Sequence, residues 1–126
     1  MAKFYFCENC KKIVELVDGS GDAAPICCSQ LMRALEPNTV DAAKEKHVPV
    51  VSFEKGAILV NVGAIAHPMT EEHLIKWIQL ETSKGAYRHY LKANDVPMAR
   101  FFITEDEDPL QVYAYCNLHG LWSASV

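Results

Sequence analysis

The sequence predicts an all-β protein made of a small cysteine-rich domain followed by an antiparallel β-sandwich. Short runs of apolar and β-branched residues alternate with turn residues from position 48 to position 124, and no long amphipathic helix pattern stands out. Two cysteine pairs lie within the first 28 of the 126 residues. A chain of this length fits one ordinary domain with a small appendage.

Composition narrows the class of protein. Half of the residues are apolar and the net charge is −4, with acids and bases mixed and no basic stripe, which argues against a nucleic-acid partner. No apolar run is long enough for a transmembrane helix, so no membrane partner is expected. No apolar signal region precedes Cys7, so we expect a cytoplasmic protein. In a reducing compartment, five cysteines are more often metal ligands or reactive thiols than disulfides.

The first predicted domain is residues 1–36 and contains Cys7-x-x-Cys10 and the adjacent pair Cys27-Cys28. Four thiolates from two short loops form a tetrahedral site that suits zinc or iron, and the spacing does not choose between them. A thioredoxin-like role is disfavoured because no βαβ pattern follows. A segment this small, with one short strand predicted at 13–17, needs metal for its stability. Turn residues then predict a linker at 37–44.

The second predicted domain, residues 45–126, is a series of short strands. Alternation within 74–81 predicts that Ile75 and Trp77, and with them Gln79, lie on one face. The predicted strands are 48–53, 57–62, 74–81, 87–91, 99–103, 111–115 and 121–124.

A second metal site is predicted from Cys116 and His119, whose C-x-x-H spacing lets both side chains reach one ion from a single loop. His47, His67 and His73 lie at strand ends or in loops, where they can converge with this pair at one edge of the sandwich. His89 lies inside a predicted strand and is left out. We interpret the five remaining donors as an iron site.

These residues together resemble the desulfoferrodoxins, the two-iron form of superoxide reductase, over nearly the whole chain. The matching motifs are Cys7-x-x-Cys10, Cys27-Cys28, Glu45-Lys46-His47-Val48-Pro49, Ala66-His67-Pro68-Met69, His73-x-x-x-Trp77-Ile78 and Cys116-Asn117-Leu118-His119-Gly120.

The resemblance implies a desulforedoxin-like domain whose iron is held by its four cysteines, followed by an immunoglobulin-like β-sandwich that carries a catalytic iron. It implies four equatorial histidine ligands and Cys116 as the axial ligand, with two mononuclear non-haem irons per chain. The implied ligands of the catalytic iron are His47, His67, His73, Cys116 and His119, and those of the N-terminal iron are Cys7, Cys10, Cys27 and Cys28.

The resemblance also implies an activity. Superoxide is reduced to hydrogen peroxide by one electron at the ferrous iron, without release of dioxygen, as antioxidant defence. The resemblance implies that Glu45 occupies the open coordination position in the oxidised state and that Lys46 lies beside it, where its charge would attract superoxide. The implied partners are a rubredoxin-type electron donor and a second copy of the chain in a homodimer.

Two residues depart from the family pattern. Glycine usually follows each cysteine pair, and here those positions hold Lys11 and Ser29. Where glycine would adopt a left-handed backbone, another residue costs about 1 kcal/mol. We therefore expect the N-terminal metal to bind, in loops that are less stable than they would be with glycine.

Two other functions fit parts of the sequence. The chain can be a non-catalytic binding module in which a zinc knuckle is joined to a sandwich, and zinc in both sites would favour that function. It can also be an electron-transfer protein that uses the N-terminal iron alone. The run Glu45-Lys46-His47 beside a complete ligand set argues against both.

Overall fold

A computed structural model describes residues 2–126 and confirms the all-β class. The chain forms two compact units, one ending at Glu36 and the other spanning Pro37–Val126. Each unit has its own sheets and its own buried side chains, and they are described separately below.

The first unit is built from short antiparallel strands around the two cysteine pairs. One sheet has the order β2-β1-β5, and a two-stranded hairpin pairs β3 with β4. Its buried cluster is small, with Tyr5, Cys7 and Met32 at its centre. The strands are β1 (Phe4–Phe6), β2 (Ile13–Glu15), β3 (Ile26–Cys27), β4 (Gln30–Leu31) and β5 (Arg33–Ala34).

The second unit is a sandwich of two antiparallel sheets preceded by one helical turn, α1 (Lys44–His47). The sheets have the orders β10-β7-β6 and β12-β11-β8-β9. The strands are β6 (Pro49–Glu54), β7 (Ala57–Val62), β8 (Ile75–Thr82), β9 (Ala86–Tyr90), β10 (Met98–Phe101), β11 (Pro109–Cys116) and β12 (Gly120–Ser125).

The sandwich core lies between the two sheets, because every second side chain of a strand points to the same face. Its buried members come from β7 and β10 of one sheet and from β8 and β11 of the other. They are Ile58, Val60, Val62, Ile75, Ile78, Leu80, Ala99, Phe101, Val112, Ala114 and Cys116. Cys116 belongs to the same alternating series as Val112 and Ala114, so the strand directs its thiol inward.

A β-bulge interrupts the pairing of β8 with β11. Tyr115 pairs with Trp77, but the next residue, Cys116, pairs with Ile75. One residue of β8, Lys76, is therefore extra, and a bulge of this kind reverses the side-chain alternation beyond it. The expectation that Ile75 and Trp77 share a face is wrong, because Ile75 joins the core beside Ile78.

The opposite end of the same strand pair is closed by a buried carboxylate, Glu107. It accepts hydrogen bonds from the hydroxyls of Thr82, Tyr87 and Thr104 and from the Thr104 backbone N–H. The Thr82 bond first, and then the Tyr87 bond, lower the pKa of Glu107 to about 2. The carboxylate therefore stays ionised and joins the β8–β9 turn to the segment that precedes β11.

Candidate metal centres

The five donors predicted in the second unit converge. The ligand atoms of His47, His67, His73 and Cys116 all lie within 4.8 Å of one another. Nδ1 of His119 lies 3.2 Å from Nε2 of His47 and 3.9 Å from Sγ of Cys116, which places the fifth donor at the same point.

The fold explains this convergence. His47 is the last residue of α1 and Cys116 is the last residue of β11, so both stand at one end of the sandwich. His67 and His73 lie on the loop from β7 to β8, which crosses the same end. His119 lies in the turn between β11 and β12, where Gly120 adopts a positive φ of 78°.

Two backbone carbonyls fix the tautomers of two imidazoles. Nδ1 of His47 donates to the oxygen of Ala43 at 2.7 Å, and Nδ1 of His67 donates to the oxygen of Pro68 at 2.6 Å. A carbonyl can only accept, so in the neutral rings both Nε2 atoms carry lone pairs. These two Nε2 atoms lie 3.2 Å apart and face each other.

A third imidazole nitrogen faces the same point without a partner. Nε2 of His73 is buried and has no hydrogen bond within residues 2–126. Burial lowers the pKa of His47 and of His73, and it lowers that of His67 to about 4, so the rings are neutral near pH 7. The Nε2 lone pairs of His47 and His67 face each other and the Nε2 of His73 is unpartnered, so this donor set fits a metal ion.

The sulfur donor differs from the histidines because it must lose a proton before it can bind a metal ion. Burial raises the pKa of Cys116, so without metal it is a thiol. A metal ion binds the thiolate and displaces the proton. Four imidazole nitrogens with one thiolate suit a first-row transition metal such as iron, and five donors exceed the four of a structural zinc site.

Glu45 and Lys46 lie on α1, immediately before His47, and both side chains are exposed. Burial is the main cause of the lowered histidine pKa values, and these two charges are smaller causes. Lys46 helps to lower the pKa of His47 and of His73, whereas Glu45 acts to raise the pKa of His47. Both charges are therefore close enough to influence the donor cluster.

The first unit brings its four cysteines together. Sγ atoms of Cys7, Cys10, Cys27 and Cys28 lie within 4.8 Å of one another. The backbone N–H of Cys10 is the main cause that lowers the pKa of Cys7, which favours one thiolate in the cluster before metal binds. An all-sulfur group of this size suits zinc or iron, as the spacing predicted.

The residues that stand in place of glycine adopt left-handed backbone. Lys11 has a φ of 66° and Ser29 a φ of 62°, and Cys28 has a φ of 52°. The loops therefore keep the left-handed conformation that glycine would permit, at the cost that a side chain imposes there.

Three residues near the second centre were not singled out from the sequence. Trp122 is fully buried, its indole N–H donates to the oxygen of His119 at 3.0 Å, and its ring centroid lies 4.9 Å from that of His47. Gly63 lies against the backbone of α1, and Asn117 bonds to the segment that carries His73. Only the position of Asn117 inside the C-x-x-H motif gave a signal.

His89, which the sequence interpretation left out, belongs to neither donor group. Its side chain is exposed, and its ring centroid lies 4.6 Å from that of Phe101.

Comparison with known proteins agrees with the two donor groups. A sequence model of the family described as Desulfoferrodoxin matches residues 39–125. The Desulfoferrodoxin of Syntrophotalea carbinolica is 50% identical over 120 residues, covering 95% of this chain and 93% of that protein. The chain belongs to the desulfoferrodoxin family. The resemblance stated from the sequence is thereby confirmed, and the two donor groups correspond to the two iron sites of desulfoferrodoxins.

Solved structures extend the comparison. The superoxide reductase from Treponema pallidum has 39% sequence identity and a TM-score of 0.82, and the alignment covers 98% of each chain. A superoxide reductase from Giardia intestinalis described as 1Fe-SOR has 32% identity and a TM-score of 0.55. That alignment covers 66% of this chain and 98% of the Giardia chain. Desulfoferrodoxins are a superoxide reductase family, which makes the chain an oxidoreductase. No helix within residues 2–126 is long and apolar enough to cross a membrane.

Proposed function

We propose that this desulfoferrodoxin reduces superoxide to hydrogen peroxide at an iron held by the second unit. The proposed ligands are His47, His67, His73, Cys116 and His119. We assign residues 45–126 to the catalytic domain, residues 37–44 to a linker, and residues 1–36 to a desulforedoxin-like domain. In that domain the proposed ligands of a second iron are Cys7, Cys10, Cys27 and Cys28.

One observation carries the proposal: the lone pairs of several buried imidazoles converge beside a buried thiol. Nε2 of His47 faces Nε2 of His67 at 3.2 Å, and Nε2 of His73 points to the same place without a donor. A purely structural role would leave this arrangement as an electrostatic penalty in the folded state. The Giardia relative, described as a one-iron superoxide reductase, supports placing the activity in the part of the chain that it shares.

When bound here, an iron that cycles between its ferrous and ferric forms would supply the electron for the reaction. The neutral histidines leave the ion's charge intact, and the Cys116 thiolate removes one unit. A ferrous site is then formally +1, which attracts the superoxide anion. The thiolate also donates electron density toward the metal, as cysteine ligands do in other iron enzymes.

The residues of α1 supply the second part of the proposed mechanism. Lys46 directly precedes the ligand His47 and carries an exposed ammonium, whose positive charge would attract an anion against the protein's net negative charge. Its N–H groups can hold a water molecule that delivers a proton. Glu45, on the same turn, carries an exposed carboxylate that would serve as a further ligand of the oxidised iron.

The overall reaction takes one superoxide, one electron and two protons and gives one hydrogen peroxide. Because no second superoxide is oxidised, no dioxygen is released, and the electron comes from a donor protein. We propose a rubredoxin-type donor, a homodimeric assembly and a cytoplasmic role in antioxidant defence.

Product stoichiometry tests the proposal. With iron-loaded protein, an excess of reduced rubredoxin as electron donor and a constant superoxide flux, reduction gives one hydrogen peroxide per superoxide and no dioxygen. Dismutation gives half as much peroxide together with dioxygen. Cys116→Ser should abolish the activity and leave the N-terminal iron in place, whereas Cys10→Ser should disturb only that iron. Full activity in folded Cys116→Ser protein would refute the assignment.

A matched pair of histidine variants tests the ligand set. His73→Gln should lose the catalytic iron, while His89→Gln should keep two irons per chain, measured by elemental analysis. Iron loss from His89→Gln, or full iron in His73→Gln, would contradict the proposed ligands. Zinc in both sites of protein made with adequate iron would favour the structural binding module instead.

A further inference from the structure

Asn117 makes three hydrogen bonds to the residues on either side of His73. Its side-chain Oδ1 accepts from the backbone N–H of Leu74 at 3.0 Å, and its Nδ2 donates to the oxygen of Glu72 at 2.9 Å. Its own backbone N–H donates to the oxygen of Leu74 at 3.2 Å. One residue of the C-x-x-H loop thus joins that loop to the segment that carries His73.

These bonds begin where the β-ladder ends. The pairing of β11 with β8 stops at Cys116 and Ile75. Beyond that pair the chain turns so that His119 can return to the metal site, and the Leu74 N–H and the Glu72 oxygen bond to the Asn117 side chain and not to a main-chain group of residues 2–126. The amide of Asn117 has one donor and one acceptor group in the arrangement of a peptide unit, and it takes the place of a main-chain partner.

His73 depends on this connection more than two other proposed ligands do. The rings of His47 and His67 are each oriented by a bond from Nδ1 to a carbonyl. No side-chain hydrogen bond of this kind orients His73 in the described residues 2–126. Its imidazole is placed by its backbone, which is held on one side by Thr70 and on the other by Asn117.

We infer that Asn117 is a positioning residue that fixes His73 relative to Cys116 and His119. The inference rests on the proposed iron site. Asn117 does not contact the metal position itself, and it acts by keeping two ligand-bearing loops in register. Residues that orient ligands from outside the coordination shell commonly change metal affinity by about 10- to 100-fold when they are replaced.

The chain offers a matched control in Asn38. Its Nδ2 donates to the oxygen of Ser123 at 3.1 Å, and its Oδ1 accepts from the N–H of Ser123 at 2.9 Å, so it forms the same two-bond clamp onto β12. Asn117→Asp and Asn38→Asp each keep the acceptor, lose the donor and add one negative charge. By charge alone, an aspartate near the site would strengthen cation binding. Weaker binding in Asn117→Asp would therefore show that His73 is no longer held in position.

The experiment measures iron release from full-length, iron-loaded protein after addition of excess EDTA, with the N-terminal iron as internal reference. We expect Asn117→Asp to release the second-unit iron about tenfold faster than the wild type. Asn38→Asp should release the second-unit iron within about twofold of the wild-type rate. Its melting temperature should fall by about as much as that of Asn117→Asp. In a His73→Gln background, Asn117→Asp should have no further effect on residual metal affinity, measured with Co²⁺.

The outcomes separate the inference from the proposed function. Wild-type protein that holds no metal in the second unit would overturn the proposed function. Wild-type iron retention in Asn117→Asp, or equally fast release from Asn38→Asp, would overturn the positioning role alone. If Asn117→Asp does not fold, Asn117→Ser takes its place, because the serine hydroxyl keeps one hydrogen-bonding group and adds no charge.

Discussion

Replacing Gly63 with alanine should displace the helical turn that carries Glu45, Lys46 and His47. A Cβ at Gly63 would lie 2.7 Å from the oxygen of Glu45, 2.9 Å from the oxygen of Val48 and 3.0 Å from the carbonyl carbon of Lys46, whereas ordinary contacts begin at 3.4 Å. All three are backbone atoms, so no side-chain rotation relieves the overlap and the turn must move by about half an ångström or more. Overpacking of this kind costs about 1–3 kcal/mol.

Three measurements follow from that displacement. The melting temperature should fall by about 5–20 °C, given about 4–8 °C per kcal/mol for a domain of this size. The turn carries His47 and Lys46, so iron retention and the rate of superoxide reduction should also fall, each by about tenfold. Thermal unfolding, elemental analysis and pulse radiolysis give the three readouts.

Gly85→Ala is the matched control. A Cβ at Gly85 meets nothing within 4 Å, so alanine there should change stability by about 0.5 kcal/mol or less and leave the iron site intact. Wild-type melting and iron content in Gly63→Ala would refute the reasoning, as would an equal loss in Gly85→Ala.

Three further predictions concern charge and backbone. Lys46→Ala should slow the encounter with superoxide roughly fivefold at low salt and flatten its dependence on ionic strength; an unchanged second-order rate by pulse radiolysis would remove Lys46 from the mechanism. Lys11→Gly and Ser29→Gly should each stabilise the first unit by about 1 kcal/mol, seen as slower loss of the N-terminal iron on heating; faster loss would show that these side chains stabilise their loops. Glu107 has a pKa depressed to about 2 from 4.5, so its contribution to stability is full above about pH 4.5 and is lost as the pH falls toward 2. Glu107→Gln should therefore melt below the wild type at pH 7, with the difference shrinking on acidification; a constant difference would contradict the assignment.

The strands of the sandwich were predictable because their residues alternate over several positions. The runs 57–62 and 111–115 correspond to Ala57–Val62 and to the inner part of Pro109–Cys116. The bulge at Lys76 was not predictable, since it depends on how β8 pairs with β11 and leaves no local signature. The two-residue strands of the first unit are also set by their partners and by the cysteine loops, and not by their own propensity.

For the candidate site, residue type and motif selected the five donors that the structure brings together, and their binding of iron stays a prediction. Which nitrogen each histidine presents was not predictable. That choice depends on the oxygens of Ala43 and Pro68, which come near the rings only in the folded chain. The roles of Trp122 and Gly63 carry no sequence signal for the same reason, because they arise from contacts between distant segments.

The strand pair β8–β11 is fastened by different chemistry at its two ends. At the end of Ile75 and Cys116 lie the donors that need a cation, and at the end of Thr82 and Pro109 lies the ionised Glu107. The two ends can therefore be released separately, one by a chelator at neutral pH and the other by acid near pH 2 once the metal is gone. Amide hydrogen exchange should then spread along the strands from opposite ends under the two treatments. Local unfolding of the sandwich can therefore begin at either end of this strand pair, and the availability of metal decides which end unfolds first.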